Sequence, residues 1–205
     1  MKSFTHHMES LSNQKFDYFI TDKNLNIFHD DIKNSVILSG SFNPVHDGHI
    51  KLLNYSSEIL NMNKYYEISI SNVDKSDIET EELIKRIKNF KSDEKIIISK
   101  SSKFIDKSNI FPKSCFVVGY DTAIRILDHS YLSPGESLDD LFSALDKNGC
   151  TFLVAGRIDV TGSKFKNLEI NNLNFKYKDY FKIISEDDFR VDASSTDMRR
   201  HDIWQ

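Results

Sequence analysis

Residues 40 to 49 read Gly-Ser-Phe-Asn-Pro-Val-His-Asp-Gly-His, and this stretch carries most of the information about the fold. An apolar run, Val36 to Leu38, precedes it, and an amphipathic segment beginning with His46 and His49 follows the proline turn. The pattern predicts a strand, a loop and the first turn of a helix. Free N–H groups and the positive dipole end at a helix start attract anions. Two imidazoles on that face add donors for phosphate charge, so the stretch predicts a nucleotide site.

Two other interpretations of the histidine pair are available. A His-x-x-His pair can bind a metal, but zinc takes three or four protein ligands, and Cys115 and Cys150 have no neighbouring partner in sequence to complete such a site. The pair can also be a solvated helix cap. The glycines favour the nucleotide site: Gly40 stands where the backbone must turn, and Gly48 stands where a larger side chain would block a flat ligand.

Composition limits the class of protein. The chain has 205 residues, of which 39% are hydrophobic, which predicts one globular domain spanning residues 1–205. A net charge of −4 argues against binding a nucleic-acid polymer. The sequence has no apolar stretch long enough to cross a membrane, no signal-peptide core and only two cysteines. We therefore expect a cytoplasmic protein without a membrane partner; no signal for an oligomeric state is visible.

Strand-like and helix-like patterns alternate along the chain. Six short runs predict strands: Ser35–Ser39, Tyr66–Ser71, Lys95–Ser99, Ser114–Val118, Thr151–Ala155 and Tyr180–Ile184. Apolar residues at helical spacing predict three helices, containing respectively Ile50 to Leu60, Ile78 to Ile87, and Gly135–Asp146. This alternation predicts an α/β fold with a doubly wound parallel sheet. Ligands bind such sheets at the carboxyl ends of strands, where the nucleotide stretch lies.

Two segments stand apart from this core of residues 34–202. Residues 1–33 are polar, and we interpret them as a helix and a hairpin packed on the outside of the core, with His6, His7 and His29 as surface residues. Residues 158–179 are also polar and are either a surface insertion or a loop that covers a substrate.

The ten-residue string resembles the His-x-Gly-His signature of the nucleotidyltransferase superfamily, in the form found in nicotinamide mononucleotide adenylyltransferases. The second signature of those enzymes is Ile-Ser-Ser-Thr-x-x-Arg. Residues 193 to 199 read Ala-Ser-Ser-Thr-Asp-Met-Arg, with alanine in place of the leading isoleucine. The resemblance covers residues 34 to 202 and implies a Rossmann-like nucleotidyltransferase fold.

Two further strand ends resemble parts of these enzymes. Gly119-Tyr120-Asp121 resembles their Gly-Ala-Asp turn, in which the carboxylate can bind ribose hydroxyls and the glycine lets the nucleotide approach. Asp121 is alternatively the N-cap of the next helix. Arg157, just past a strand, resembles the family's arginine and can bind phosphate, stack on a base or form a surface salt bridge.

Other segments resemble a branch that includes the fungal promoter-of-filamentation protein and plant nucleotidylyltransferase-like proteins. They include Ser-Asn-Val-Asp-Lys at 71–75 and Phe-Ile-Asp-Lys at 104–107, although Lys107 is also readable as a solvated lysine. The tryptophan that stacks on the nicotinate ring in many bacterial enzymes has no counterpart after Gly119. Tyr120 and Tyr131 are the aromatic candidates nearest in sequence to replace it.

The resemblance implies transfer of AMP from ATP to nicotinamide mononucleotide, or to its nicotinate form, with Mg²⁺ carried by the triphosphate. Transfer to another acceptor, such as phosphopantetheine or a phospho-alcohol, and a non-catalytic nucleotide-binding role are the alternatives. The implied catalytic residues are His46, His49 and Arg199. The implied ATP-binding residues are Gly40, Ser41, Phe42, Gly48, Gly119, Asp121, Ser195 and Thr196. The implied acceptor-binding residues are Asn72, Lys75, Lys107, Tyr120, Tyr131 and Arg157.

Overall fold

An eight-stranded sheet organises the computed structural model, which describes residues 2–71, 77–132, 135–158, 164–172 and 176–190. Its parallel strands are β3 (Ser35–Ser39), β4 (Asn63–Ser69), β5 (Ile96–Ser99), β6 (Cys115–Gly119), β7 (Thr151–Ala155) and β10 (Phe181–Ile184). The antiparallel strands at one edge are β1 (Tyr18–Thr21) and β2 (Ile27–Phe28). A mostly parallel sheet with helices on both faces confirms the predicted α/β, Rossmann-like fold.

Helices cover both faces, and each face has its own apolar core. One core receives side chains from α1 (Lys2–Ser12), α2 (Asp47–Leu60) and α3 (Thr80–Lys88). The opposite core receives them from α4 (Phe104–Ile110), α5 (Tyr120–Leu127) and α6 (Leu138–Asn148). Apolar residues of the strands alternate between the two cores, as in Val36 and Ile37, because successive strand side chains point to opposite faces. No described helix has the length and apolar character needed to cross a membrane.

The strand order reverses between β3 and β6, which are hydrogen-bonded neighbours in the centre of the sheet. From β3 the chain proceeds outward through β4 and β5, and from β6 outward through β7 and β10. Doubly wound sheets open a ligand crevice at the carboxyl ends of the two strands that flank such a reversal. The loop that begins at Gly40 and the turn at Gly119 both lie at this edge.

All six predicted strands are present, two of them with the predicted bounds. The second strand starts at Asn63, three residues earlier than predicted. The apolar pattern does not indicate this start, because Asn63 and Lys64 are polar residues at the more exposed end of the strand. The three predicted helices also form, although α6 begins after Ser137 rather than at Gly135. Ser137 caps it through a reciprocal pair of hydrogen bonds with Asp140.

The first 33 residues contain the predicted helix and hairpin, but the hairpin extends the sheet. Strand β1 pairs with β5 over four residues, from Tyr18 opposite Ser99 to Thr21 opposite Ile96. Of the three histidines, His6 and His29 are exposed, and His7 is half-buried against Phe19. The segment therefore supplies strands to the sheet as well as covering it.

Between β7 and β10, two short strands form a separate antiparallel pair. They are β8 (Arg157–Ile158) and β9 (Phe165–Lys166). Gly156 makes this pairing possible, because a β-carbon there would overlap the Phe165 ring and lie 2.7 Å from the Lys166 carbonyl oxygen. The hairpin places Arg157 at the carboxyl edge of the sheet.

Candidate active site

The loop between β3 and α2 is held by its own residues and by the neighbouring strand. The Gly40 N–H donates to the Glu67 carbonyl of β4 at 3.0 Å. Phe42 has a φ of 41°, a left-handed conformation that is unusual for a residue with a side chain. Its ring is buried against Tyr66 and Phe90, with centroids 5.3 and 5.4 Å away. Burial of the ring offsets the backbone strain, and only the backbone of Phe42 is left to face a ligand.

Gly40 leaves room for that ring. A β-carbon at Gly40 would lie 3.0 Å from the tip of the Phe42 ring, closer than real β-carbons normally approach. Gly48 is buried in the first turn of α2. Both glycines therefore lie in the loop and helix start where the sequence predicts them to matter.

The two signature histidines stack on each other at the start of α2. His46 is the N-cap residue, and the His46 and His49 ring centroids lie 3.7 Å apart with an interplanar angle of 23°. The His46 backbone N–H donates to Nδ1 of His49 at 3.3 Å. Because Nδ1 accepts that bond, the neutral His49 ring carries its proton on Nε2. His49 is thus oriented to donate a hydrogen bond from Nε2.

Burial keeps both rings neutral. Burial, together with the smaller influence of the neighbouring His46, lowers the pKa of His49 to about 3. It also lowers the pKa of His46, against the opposing influence of Asp47. In the described part of the chain, Nδ1 of His46 is buried with no hydrogen-bond partner, which is costly unless a ligand or water supplies one. The pair therefore offers neutral donors, rather than the fixed positive charge that a protonated pair would offer.

A second group of predicted residues meets at the ends of β6 and β7. Gly119 is the N-cap of α5, so the alternative assignment of Asp121 as N-cap is wrong: Asp121 lies in the first turn of that helix. The Asp121 carboxylate accepts a hydrogen bond from Nη1 of Arg157 in a half-exposed ion pair. The predicted surface salt bridge of Arg157 is thus confirmed, and its partner is another candidate site residue. Among the residues that the structure describes, and apart from its two chain neighbours, Gly119 has no atom within 4 Å of where its β-carbon would lie, so these residues leave its backbone open to a ligand.

Lys107 is buried, contrary to the interpretation of it as a solvated lysine. Its Nζ donates to Oε2 of Glu67 at 2.5 Å, and Ser99 donates to Oε1 of the same carboxylate at 2.5 Å. Glu67 is fully buried, and its backbone carbonyl is the group that holds Gly40. This polar cluster therefore lies directly beside the start of the signature loop. Sequence reasoning missed Glu67, although a glutamate between Tyr66 and Ile68 in a buried strand is a signal that a cation must be near.

Arg86 is a second residue that sequence reasoning missed. It lies in the last turn of α3, and its Nη1 donates to the Ser41 carbonyl of the signature loop at 3.2 Å. Its Nε donates to Glu82 at 2.9 Å. Nothing in the local pattern around Arg86 distinguishes it from its neighbours Lys85 and Lys88, since only the packing of α3 brings it to the loop.

The comparison with known families agrees with this geometry. A model of the cytidylyltransferase-like family matches residues 37–201, from the strand before the signature loop to the Ser-Ser-Thr segment. The chain belongs to the cytidylyltransferase-like family. Members of this family are nucleotidyltransferases, so the loop, the stacked histidines and the strand-end residues form the candidate site of a nucleotidyl-transfer enzyme. Among curated proteins, none matches this cytidylyltransferase-like chain.

Several predicted site residues lie outside the residue ranges that the structure describes. They are Asn72, Lys75, Ser195, Thr196 and Arg199. Tyr120 begins α5 and is half-buried, whereas Tyr131 is described only by its backbone, in a short 3₁₀ helix, His129–Tyr131. The structure thus brings together Gly40, Ser41, His46 and His49 at β3, and Gly119, Asp121 and Arg157 at β6 and β7.

Proposed function

We propose that this enzyme is a nicotinamide mononucleotide adenylyltransferase, which transfers AMP from ATP to nicotinamide mononucleotide and releases pyrophosphate, with the nicotinate form as a second acceptor. The supporting observation is the signature Gly-Ser-Phe-Asn-Pro-Val-His-Asp-Gly-His at the switch point of the sheet, with His46 and His49 stacked at the helix start. We further propose that it belongs to the promoter-of-filamentation branch. Asn72 and Lys75 of its Ser-Asn-Val-Asp-Lys segment and Lys107 support that placement.

The proposed reaction is a single in-line displacement. A phosphate oxygen of the acceptor forms a bond to the α-phosphorus of ATP, and the bond from that phosphorus to the α–β bridging oxygen breaks. Pyrophosphate leaves with the electron pair. No covalent protein intermediate is needed, so the protein must align the reactants and stabilise charge on the phosphoryl oxygens.

We propose a part of that task for each described residue of the candidate site. His49 donates from Nε2 to an α-phosphate oxygen, and His46 adds a second donor beside it. The backbone at Ser41 and Phe42 lines the triphosphate, and Asp121 binds ribose hydroxyls beside open space at Gly119. We propose that Ser195, Thr196 and Arg199 take the remaining phosphate charge.

The residues present fit a magnesium ion that arrives with the triphosphate. Mg²⁺ prefers oxygen ligands and commonly binds through substrate phosphates, where it offsets negative charge. The signature loop offers imidazole nitrogens instead, and within the described ranges no group of three His, Cys, Asp or Glu side chains could hold a metal ion. We propose that the chain's own residues bind and orient the phosphates and that the nucleotide supplies the ligands of the metal.

An aromatic ring must stack on the pyridine if this acceptor is correct. Tyr120 is half-buried where β6 ends, directly before Asp121, and supports such a role. Tyr131 is the other candidate. Base–aromatic stacking is worth about 1–3 kcal/mol, enough to select a flat ring over an aliphatic acceptor.

The description of the family favours one second candidate, cytidylyl transfer from CTP to a phospho-alcohol. It uses the same phosphorus chemistry and the same loop, and differs in base and acceptor contacts. Adenylyl transfer to phosphopantetheine is a related variant. A non-catalytic role is less well supported, because both histidines are present and His49 is oriented as a donor.

A screen of pyrophosphate release tests the proposal. ATP and CTP with Mg²⁺ are each combined with nicotinamide mononucleotide, nicotinate mononucleotide, phosphopantetheine and a phospho-alcohol such as phosphocholine. We expect turnover with ATP and a pyridine mononucleotide and little with the other pairs. Turnover that requires CTP or phosphopantetheine, with none for either pyridine mononucleotide, would replace this function by the second candidate.

We propose the cytoplasm as the compartment. The two cysteines support a reducing environment, because both are buried free thiols in the structure.

A further inference from the structure

Arg86 reaches the signature loop from a helix that contributes no motif residue. It lies in the last turn of α3 with Lys85 and Lys88, both of which are exposed. The Arg86 side chain is only 15% exposed, and its Nη1 donates to the Ser41 carbonyl at 3.2 Å. One guanidinium among three basic residues of this turn is therefore folded back onto the loop.

Ring packing fixes this end of α3 against the histidine site. Phe90 follows Arg86 by four residues, and its ring contacts that of Phe42 with centroids 5.4 Å apart. Phe42 in turn contacts the His49 ring with centroids 5.0 Å apart. Arg86 and His49 are thus joined through two consecutive residues of the same loop, Ser41 and Phe42.

The reaction needs positive charge at this place. A triphosphate and the pyrophosphate it releases are polyanions, whereas burial lowers the pKa values of both His46 and His49 and keeps the rings neutral. Hydrogen bonds to a neutral donor are weaker than those to a charged donor. Arg86 supplies a charged donor here, since its guanidinium is hydrogen-bonded to the signature loop.

The two contacts of Arg86 also orient its fork. Glu82, one turn earlier in α3, accepts from Nε at 2.9 Å, and Ser41 accepts from Nη1. Guanidinium has five N–H donors in a fixed plane, so these bonds leave Nη2 and part of Nη1 able to bind phosphate oxygens. The Glu82 carboxylate of this ion pair is half-exposed, and water screens its charge. Arg86 therefore keeps most of its attraction for an anion.

We infer that Arg86 is a phosphate-binding residue, which holds the β- and γ-phosphates of the nucleoside triphosphate over the Ser41 carbonyl. This rests on the proposed nucleotidyl transfer at the loop, but not on the identity of the acceptor. Arg86 would also hold the pyrophosphate until it leaves. If Arg86 only anchored the loop, it would make the same contacts but would not bind phosphate. The two roles therefore predict different effects of an Arg86 substitution on the binding of ligands with and without phosphates.

Equilibrium binding of three probes with Mg²⁺ distinguishes these roles. The probes are ATP, inorganic tripolyphosphate and adenosine, measured on wild-type protein, Arg86→Ala, Arg86→Lys and Lys88→Ala. We expect Arg86→Ala to weaken ATP and tripolyphosphate binding by about tenfold to a hundredfold, the scale of a charge-assisted bond, and to leave adenosine binding unchanged. Arg86→Lys should lie between wild type and alanine, because it keeps the charge and loses the fork.

Lys88→Ala is the matched control, since it removes one exposed positive charge from the same helical turn. It should change the affinity for tripolyphosphate by less than about twofold. The inference is overturned if Arg86→Ala leaves ATP and tripolyphosphate binding intact, or weakens adenosine equally through collapse of the loop. These binding measurements contain no acceptor. Their outcome therefore tests Arg86 even if the enzyme does not turn over a pyridine mononucleotide.

Discussion

The orientation of His49 follows from one backbone hydrogen bond. The His46 N–H donates to Nδ1 of His49, so the neutral ring carries its proton on Nε2. Stacking at 3.7 Å against His46 removes both rings from water and disfavours a charge on either. At the level of single residues, the site is therefore one oriented neutral donor, His49, stacked on a second neutral imidazole.

Nitrogen-15 NMR of labelled histidine tests this protonation state, with His49→Gln used to assign the signals. We expect the free protein to show the Nε2–H form of His49 and no titration between about pH 5 and about pH 8, because burial lowers the pKa of His49 to about 3. A midpoint near the ordinary histidine value, or an Nδ1–H tautomer, would contradict the neutral-donor assignment.

The low pKa of His49 also makes the stability of the fold depend on pH. The pKa of His49 is lower in the folded chain than in the unfolded one, so the unfolded chain binds the proton first as pH falls. The free energy of unfolding is therefore not reduced by His49 above about pH 6.5. It falls as the pH drops from about 6.5 toward the folded-state pKa of about 3, because only the unfolded chain is protonated in that range.

At the scale of elements, the buried pair between Lys107 of α4 and Glu67 of β4 joins a helix to the strand beside the signature loop. Lys107 is 5% exposed and Glu67 0%, so each charge depends on the other. Removing one partner of such a pair leaves an uncompensated charge and typically costs about 3–5 kcal/mol.

Urea unfolding of Lys107→Met should therefore show a loss of about 3–5 kcal/mol, and the double variant Lys107→Met with Glu67→Gln should recover most of it. The neutral amide that replaces the Glu67 carboxylate in the double variant could keep the bond with Ser99 without a charge. Lys103→Met is the matched control, because Lys103 pairs with Glu136 near the surface and should cost less than about 1 kcal/mol. If Lys107→Met and Lys103→Met lowered the free energy of unfolding equally, Lys107 and Glu67 would not stabilise each other as described.

The elements that the sequence predicts well are those whose own residues determine them. Strands such as Thr151–Ala155 are continuous apolar runs, and α2 has a strong start at the signature. The short helices α4 and α5, of 7 and 8 residues, offer too few turns for a periodic pattern. The sequence does not predict the β8–β9 pair, because strands of two residues are too short for a periodic pattern and the close approach of Phe165 to Gly156 appears only in the folded chain.

The same limit applies to the site. Asp121 and Arg157 were each identified from their strand ends, but their pairing follows from the β6–β7 register, in which Gly119 lies opposite Ala155. Arg86 depends on the packing of α3 and has no local signal at all. Local sequence thus predicts which residues stand at the carboxyl edge of the sheet, and tertiary packing determines which of them meet.

At the scale of the whole molecule, the reversal of strand order between β3 and β6 creates the site. It brings the histidine loop from one half of the chain next to the Gly119 turn of the other half, with helices from both faces beside the crevice. Arg86 reaches it from one face, and Lys107 lies beneath it on the other. We propose that this crevice performs nucleotidyl transfer, with His49 stabilising the phosphoryl charge.

A direct test compares the steady-state turnover of wild-type protein, His49→Ala and the control His29→Ala with Mg·ATP and nicotinamide mononucleotide. His29 is exposed and follows the edge strand β2, whereas the signature follows β3 in the centre of the sheet. We expect His49→Ala to lower kcat by about 10²–10³-fold with an unchanged fold, the scale of a lost transition-state donor, and His29→Ala to match wild type. Turnover by His49→Ala within about threefold of wild type would contradict the account.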